Sequence, residues 1–399
     1  MNRSLTLRYS LIQFCFWVCF ASVIAFSSYF LLDRGLSNTA VGVILAVSGL
    51  LSVLFSPVMG ALMDDHPKLT SPKMTAALAS LLTVGAAFLL LPQRRPLMTG
   101  MIYGLLVLLL YLAQSVLNIL GVDSMANGNR INFNLGRSFG SFGYAAAAWA
   151  IGLLTGFLSP SVIPVTVMVS AAVIAVASFT YPIRTASGDG TASAADTASG
   201  SRAFLKNYPR FLLLLPALVL IYFGHTVINT FTLQILMPIG GGSKELGTAT
   251  AIAAVCELIM ILLFARCMKH FPLRTLLRVS GVFFTLKTLG SLLAGSVQAY
   301  YAVQLLQTFG WGIMCVGLVH YVNETVDRKD RARGQSRAGM TLTAASVIGS
   351  VLGGRIIDTA GVRSLLVLGT AVCACGSILM FFATRRSLPD KDAGHPQKP

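Results

Sequence analysis

The sequence predicts an all-α polytopic membrane protein with twelve transmembrane helices, arranged in two pseudo-symmetric halves of six. Of the 399 residues, 55% are hydrophobic and only 11% are charged, a balance that a soluble domain of this length does not show. The apolar residues gather into twelve stretches of about 20 residues, the length that a helix needs to cross a bilayer. A low-complexity segment, TASGDGTASAADTASGS at 185–201, separates the first six stretches from the last six.

The predicted spans are numbered 1 to 12 along the chain. Span 1 follows Arg3 and Arg8, as in a signal peptide, but it is longer than such a peptide and further spans follow it, so we expect it to be retained. The first six spans cover residues 9–32, 39–63, 74–91, 97–121, 138–158 and 162–182. The last six cover residues 210–237, 246–267, 274–295, 299–322, 336–357 and 361–383.

The spans are expected to form an N-terminal six-helix bundle over residues 1–184 and a C-terminal six-helix bundle over 209–384. Residues 185–208 are predicted to be a cytoplasmic linker, and residues 385–399 a cytoplasmic tail. Loop sequences recur at equivalent places: GALMDDHPK follows span 2 as ARCMKHFPLR follows span 8, and GRSFGSFG opens span 5 as RGQSRAGM opens span 11. A duplicated six-span unit is typical of transporters that rock two halves about a site near the bilayer midplane.

The net charge of +16 does not indicate a nucleic-acid partner, because the basic residues alternate between loops and form no soluble basic face. Of the 30 lysines and arginines, 23 lie on the side of the N-terminus, five on the opposite side and two within spans. The positive-inside rule therefore places both termini in the cytoplasm of a protein in the cytoplasmic membrane. Arg94 and Arg95 oppose the rule locally.

Two opposite charges lie inside predicted spans at similar depth. At 1.5 Å per residue, Glu257 in span 8 is about 16 Å from the outer end of its helix, and Lys287 in span 9 is about 12 Å from the outer end of its own. A charge at the bilayer centre costs about 2.5–3.5 kcal/mol, so such charges are usually paired and functional. We therefore predict a Glu257–Lys287 pair that protonation of Glu257 rearranges. The alternative is a buried pair that only fastens span 8 to span 9.

Polar residues follow helical faces in three other spans. In span 7, His225 and Asn229 are one turn apart; the histidine is a candidate proton relay, and the asparagine a candidate solute ligand. The stripes predicted to bind a polar solute are Tyr111, Gln114 and Asn118 in span 4, and Gln304, Gln307 and Trp311 in span 10. For each set the alternative is hydrogen bonding between helices, without any solute.

Several segments are similar to those of a known family. In GALMDDHP at 60–67, the Gly, the Leu and the first Asp match a loop motif after span 2, while DHP replaces that motif's Gly-Arg continuation. More specific segments are INFNLGRSFGSFGYA at 131–145, CELIMILLFARCMKHFPLRTLLRVSG at 256–281, LKTLGSLLA at 286–294 and GGRIIDTAGV at 353–362. Over nearly the whole chain these segments resemble the major facilitator superfamily, and within it the lactose-permease-like oligosaccharide:proton symporters.

The resemblance implies roles for three charged residues. Glu257 falls at the family's span 8 glutamate, which takes part in substrate recognition and proton coupling, and Lys287 falls at its span 9 arginine. Arg137 falls at the sugar-site arginine, although anchoring of its loop to phosphate headgroups is an alternative. The family's acid in span 4 and its histidine and glutamate in span 10 are missing, with Gln114 and Gln307 among the residues found there. Galactoside specificity therefore does not carry over.

Absent motifs narrow the chemistry. No G-x-x-x-x-G-K-[ST] loop for ATP and no H-E-x-x-H or G-x-S-x-G enzyme motif occurs, and no cofactor or metal is expected. The sequence predicts a monomeric secondary active transporter, not an enzyme, that imports a small polar solute, a sugar or related metabolite, together with protons. A proton-driven exporter of drugs or metabolites is the alternative, although span 5 lacks the Gly-Pro-x-x-Gly-Gly motif of antiporters. A channel or a polytopic enzyme is less favoured.

Overall fold

The structure is all-α, with no β-strand among the residues that it describes. The computed structural model describes residues 3–66, 68–91, 95–126, 131–182, 204 and 207–385. Span 1 is helix Arg3–Phe20, continued by a π-helical turn, Ala21–Ala25, and by helix Ser27–Asp33. Spans 2 to 6 are helices Asn38–Asp65, Ser71–Leu90, Pro96–Ala126, Phe133–Phe157 and Val162–Phe179.

The second half has two broken spans and one long helical run. Span 7 consists of helix Pro209–Thr230, the short helix Thr232–Leu236 and a 3₁₀ turn, Met237–Ile239. Spans 8 and 9 are helices Ser243–His270 and Leu273–Leu293. Span 10 consists of helix Val297–Gln304, a 3₁₀ turn at Leu305–Thr308 and helix Trp311–Thr325. Spans 11 and 12 share the run Arg331–Ala383.

Gly361 interrupts this run between the predicted spans 11 and 12. Its backbone has φ 81° and ψ 168°, a conformation that glycine adopts readily and that a Cβ would strain. The break lies at the predicted boundary between the two spans, so a single residue type sets the end of one helix and the start of the next.

Ten helices in the described part of the chain are long and apolar enough to cross a membrane. The run Arg331–Ala383 counts once among the ten, although Gly361 divides it into two predicted spans. Helix Phe133–Phe157, at the position of span 5, has 25 residues and is not among the ten. The chain is thus an all-α integral membrane protein, and the count of twelve spans stays a prediction. The predicted linker and tail lie almost entirely outside the described residues.

Each half has its own apolar core. In the N-terminal half, Tyr9 and Tyr103 are among the largest fully buried side chains, and in the C-terminal half Phe284 has the same status. The N-terminal core also takes in Leu246 and Tyr300 from the C-terminal half. The halves therefore pack against each other as well as within themselves.

The packing between the halves is tight at one end of the bundle, the end where span 2 begins at Asn38; we call it the closed end. There Gly42 of span 2 faces the backbone carbonyl of Ser350 in span 11, and Gly247 of span 8 faces the carbonyl of Ala148 in span 5. A Cβ at either glycine would overlap that oxygen, so glycine is what allows these helices to approach. By the predicted topology the closed end is the outer one.

Candidate functional site

A cavity of about 650 Å³ lies between the two halves, within the range of roughly 300–1,000 Å³ that small-molecule sites occupy. Spans 1, 2, 4 and 5 line it from the N-terminal half, and spans 7, 8, 10 and 11 line it from the C-terminal half. The predicted site residues that line it are Tyr111, Gln114, Arg137, His225, Asn229, Glu257, Gln307 and Trp311. Those that do not are Asn118, Lys287 and Gln304.

An aromatic wall faces the cavity from the N-terminal half. The ring centroids of Trp17 and Phe20 are 5.0 Å apart, and those of Phe20 and Tyr111 are 6.1 Å apart. Tyr144 meets Trp17 edge-on, at 6.2 Å and 80°. All four residues line the cavity. Aromatic faces with hydroxyl groups at their rims suit a solute that has both apolar surface and polar groups.

Arg137 carries the positive charge of this half into the cavity. It lies in the second turn of the helix that begins at Phe133, and its side chain is exposed. Among the described residues it forms no hydrogen bond or ion pair. Its five N–H donors are therefore available to a ligand, and the cavity wall around it also includes Gln114 and Ser141.

Glu257 carries the negative charge of the opposite wall. It lies midway along the helix that begins at Ser243, lines the cavity and is half-buried. Trp311, Lys287 and Arg137 are all within electrostatic range of its carboxylate. A carboxylate with two cations nearby is stabilised in the membrane without being locked to either of them.

Lys287 does not form the expected ion pair with Glu257. Its Nζ donates a hydrogen bond of 2.6 Å to Oε1 of Gln307 in span 10, and only 3% of the lysine is exposed. Ion pairs found among the described residues include Arg34 with Asp33 and Arg333 with Asp330. The two charges lie at similar depth, but the hydrogen-bond partner of the ammonium is Gln307 in span 10 and not Glu257 in span 8.

His225 is fixed by aromatic contacts. Its ring stacks on Trp311 with centroids 4.4 Å apart and planes 2° from parallel, and it meets Phe284 edge-on at 5.4 Å. The side-chain amide of Asn229 donates to the backbone carbonyl of His225 at 2.8 Å and lies 3.1 Å from its Nδ1. His225 thus reaches the Glu257 site through the stacked Trp311, while its relay role stays a prediction.

The break in span 10 separates residues that sequence periodicity places on one face. A continuous helix would align Gln304, Gln307 and Trp311. In the structure a 3₁₀ turn, Leu305–Thr308, and the non-helical backbone of Gly310 interrupt the span. Gln307 and Trp311 line the cavity, whereas Gln304 does not. Gln304 is instead buried, with 4% exposed, and its Nε2 has no hydrogen-bond partner among the described residues. In span 4, Asn118 is exposed beyond the cavity lining.

Some cavity residues escape the sequence analysis, notably Trp17, Phe20 and Tyr144. Sequence signals for them exist, since Tyr144 follows Arg137 by two helical turns, and Phe20 follows Trp17 by one. In a membrane protein such aromatic spacings are equally typical of packing. The described residues contain no group of three or more histidine, cysteine, aspartate or glutamate side chains able to hold a metal ion.

Comparisons with known proteins agree with this architecture. The model of the MFS_1 like family matches residues 6–367, whereas no curated protein matches the sequence significantly. The crystal structure of the nucleoside transporter NupG has a TM-score of 0.77 at 14% identity, covering 96% of this chain and 98% of that chain. A bacterial homologue of the iron transporter ferroportin, in an inward-facing state, gives 0.73 at 15% identity, covering 97% and 100%.

The peptide transporter POT in complex with sulfate gives a TM-score of 0.71 at 12% identity, with 95% of this chain and 93% of that chain covered. At these identities the likeness extends to the fold alone. The three solved structures are of transporters for different solutes, so their fold is compatible with more than one class of cargo.

Proposed function

The chain belongs to the MFS_1 like family of major facilitator transporters, and on this premise we propose that it imports a small polar solute together with a proton by alternating access. The family and the fold identify a secondary transporter. We propose in addition that the solute is a sugar or a related metabolite and that the coupling ion is a proton.

The observation that carries the proposal is a cavity shared by both halves with one carboxylate in its wall. A site built from both halves changes its access when the halves rock, as transporters with duplicated six-span units require. Glu257 lies in that wall, and an ionisable residue inside a membrane span is functional by default. A proton that binds there is therefore exposed to the same change of access as the solute.

The polar and aromatic lining supports the proposed class of solute. Arg137 and Gln114 supply hydrogen-bond donors from one half, and Asn229 adds an amide from the other. The aromatic wall formed by Trp17, Phe20, Tyr111 and Tyr144 offers apolar faces for the non-polar surface of a ring. The predicted contacts of Asn118 and Gln304 are not supported by the cavity lining.

Coupling follows from the position of Lys287. While Gln307 holds the ammonium, Glu257 is left facing the cavity, where it can take up or release a proton. A deprotonated Glu257 attracts both Lys287 and Arg137, whereas a protonated one attracts neither strongly. We propose that loading of the proton thus changes which groups hold the two cations, and that this change biases the halves towards one access state.

A proton-driven exporter is the second candidate, and the aromatic wall is the observation that favours it. Large aromatic surfaces also accommodate apolar drugs, and the same carboxylate would then exchange a proton for the cargo. Direction of transport follows from the imposed gradients, so the two candidates differ in the chemistry of the bound solute and in the sign of coupling.

A two-step experiment tests the proposal. Purified protein is first screened for thermal stabilisation by monosaccharides, disaccharides, nucleosides, dipeptides and lipophilic cations, since a ligand that binds the native state stabilises it by mass action. Uptake of the strongest binder is then measured in proteoliposomes with the outside acidic, with no pH gradient and with the gradient reversed. Accumulation only with the outside acidic is expected for import. Accumulation only with the inside acidic indicates the exporter, and equal uptake in all three arms overturns proton coupling.

A further inference from the structure

At the closed end, one carboxylate of the C-terminal half holds the start of a helix in the N-terminal half. Oδ1 of Asp358 accepts hydrogen bonds from the backbone N–H of Asn38 at 3.2 Å and from its side-chain amide at 2.8 Å. Oδ2 accepts from the backbone N–H of Thr39 at 2.7 Å and from its hydroxyl at 2.6 Å. Four donors of span 2 therefore converge on one side chain of span 11.

These donors are the ones that a helix start leaves without partners. The first N–H groups of a helix have no carbonyl within the helix to bond, and they form its positive end, which an acid stabilises. Ser37 satisfies the N–H of Ala40, and Asp358 supplies the acceptors for Asn38 and Thr39. The capping of span 2 is thus divided between its own half and the other half.

A second contact links Asn38 to span 7. The side-chain amide of Gln234 donates to Oδ1 of Asn38 at 2.7 Å, so Asn38 is held from two elements of the C-terminal half. Nearby, the hydroxyl of Ser28 in span 1 donates to the carbonyl of Thr230 at 2.5 Å. Hydrogen bonds from the N-terminal half thus reach spans 7 and 11 together.

We propose that Asp358 is a gating residue of the transport cycle, whose carboxylate latches span 2 to span 11 while the closed end is shut. Alternating access requires the cavity to open at each end in turn, and the close glycine contacts of the closed end separate when it does. Asn38 and Thr39 move with one half and Asp358 with the other, so all four hydrogen bonds break in that step.

The contact between Asp358 and span 2 can break at little cost in free energy. Asp358 is exposed, so water replaces its lost partners when the halves part, and its carboxylate carries no desolvation penalty into the open state. Gln234, by contrast, is 5% exposed, and in the closed state its Oε1 has no hydrogen-bond partner in the part of the chain that the structure describes. The bonds to Asp358 therefore favour the closed state, whereas the unpaired acceptor of Gln234 disfavours it.

The inference rests on the proposed alternating motion and not on the solute or on proton coupling. Spin labels at Ser159 and Ser364, exposed residues of opposite halves at the closed end, report the separation of the halves by pulsed electron resonance. The labelled protein lacks its seven native cysteines and is measured without solute or pH gradient. Failure of proton coupling therefore leaves this measurement unaffected.

Asp358→Ala is expected to raise the ratio of open to closed populations about tenfold, because a charged cap is removed from a helix end. Asp358→Asn, which keeps the side-chain volume and one acceptor, shifts the ratio in the same direction by less, and it serves if the alanine variant does not fold. Glu245→Gln is the matched control, since Glu245 caps the start of span 8 within its own half, through the N–H of Gly242 at 2.8 Å.

A second arm separates the latch from general destabilisation. Thr39→Ala shifts the ratio in wild-type background, and it adds little in the Asp358→Ala background, because both changes remove the same contact. Wild-type distance distributions in both Asp358 variants overturn the proposal. So do an equal shift in Glu245→Gln and full additivity of Thr39→Ala with Asp358→Ala.

Discussion

Replacing Gln307 by leucine tests whether the buried ammonium of Lys287 is stabilised by its hydrogen bond to span 10. Lys287 is 3% exposed, and its Nζ donates a hydrogen bond of 2.6 Å to Gln307. Hydrogen bonds to charged groups contribute about 1.5–3 kcal/mol. We therefore expect Gln307→Leu to lower the unfolding free energy by about that amount, a factor of roughly 12 to 160 in the unfolding equilibrium.

Gln304→Leu is the matched control for this variant. It makes the same substitution one turn away, at a residue of equal burial whose Nε2 has no hydrogen-bond partner in the described part of the chain. Because an unpaired buried amide is itself costly, its removal is expected to be neutral or stabilising. The contrast between the two leucine variants isolates the contact with Lys287 from the general effect of exchanging glutamine for leucine.

The assay is unfolding in mixed detergent micelles, followed by circular dichroism, for both leucine variants and for Gln307→Leu combined with Lys287→Met. The methionine removes the unpaired charge, so it is expected to recover most of the lost stability. Equal losses in Gln304→Leu and Gln307→Leu, or no recovery in the double variant, would refute the assignment of Gln307 as the partner of the lysine.

Two further predictions concern the solute and the orientation. Arg137→Lys keeps the charge but loses the planar set of donors, so it is expected to weaken binding of an identified solute about tenfold or more, as measured by calorimetry. Arg274→Lys, in the first turn of helix Leu273–Leu293 and outside the cavity lining, serves as control. Unchanged affinity of Arg137→Lys would indicate that Arg137 only anchors its loop. A cysteine at Lys244, exposed at the closed end, is expected to react with an impermeant maleimide in intact cells, whereas one at Ser193 is expected to resist it. Reversed labelling would overturn the predicted topology.

The helices were predictable from the sequence because membrane helices need long apolar runs and bury their own backbone bonds. The predicted bounds of span 8, 246–267, lie inside helix Ser243–His270, and those of span 9, 274–295, overlap helix Leu273–Leu293. The boundary between spans 11 and 12 was also predicted, and the structure gives its physical reason in the backbone of Gly361.

The sequence predicts how deep each site residue lies in the membrane, but not which direction its side chain faces around the helix axis. A rise of 1.5 Å per residue gives the height of Glu257 and Lys287 in their helices, yet it does not say which neighbour each side chain meets. The interruption of span 10, where Gln307 meets Lys287, has no clear signal in QLLQTFGW. Breaks of this kind at membrane depth depend on the surrounding helices, which satisfy the freed backbone groups.

Contacts between the halves could not be predicted from the sequence, because they join residues that are far apart in the chain. Asp358 and Asn38 are 320 residues apart, and each taken alone is an ordinary polar residue near the end of a predicted span. Only the packing of span 2 against span 11 brings the carboxylate to the helix start. Pairing across a duplicated fold is therefore learned from the structure, whereas the duplication itself is visible in the loops.

The central claim, that Glu257 links proton movement to transport, is tested most directly by Glu257→Gln in proteoliposomes loaded with the identified solute. Glutamine mimics the protonated carboxyl group, so the variant is expected to lose accumulation driven by an imposed pH gradient while it retains exchange of labelled for unlabelled solute. Glu324→Gln, at an exposed acid outside the cavity, is expected to retain both activities. Accumulation by Glu257→Gln as steep as that of the wild type would contradict the claim.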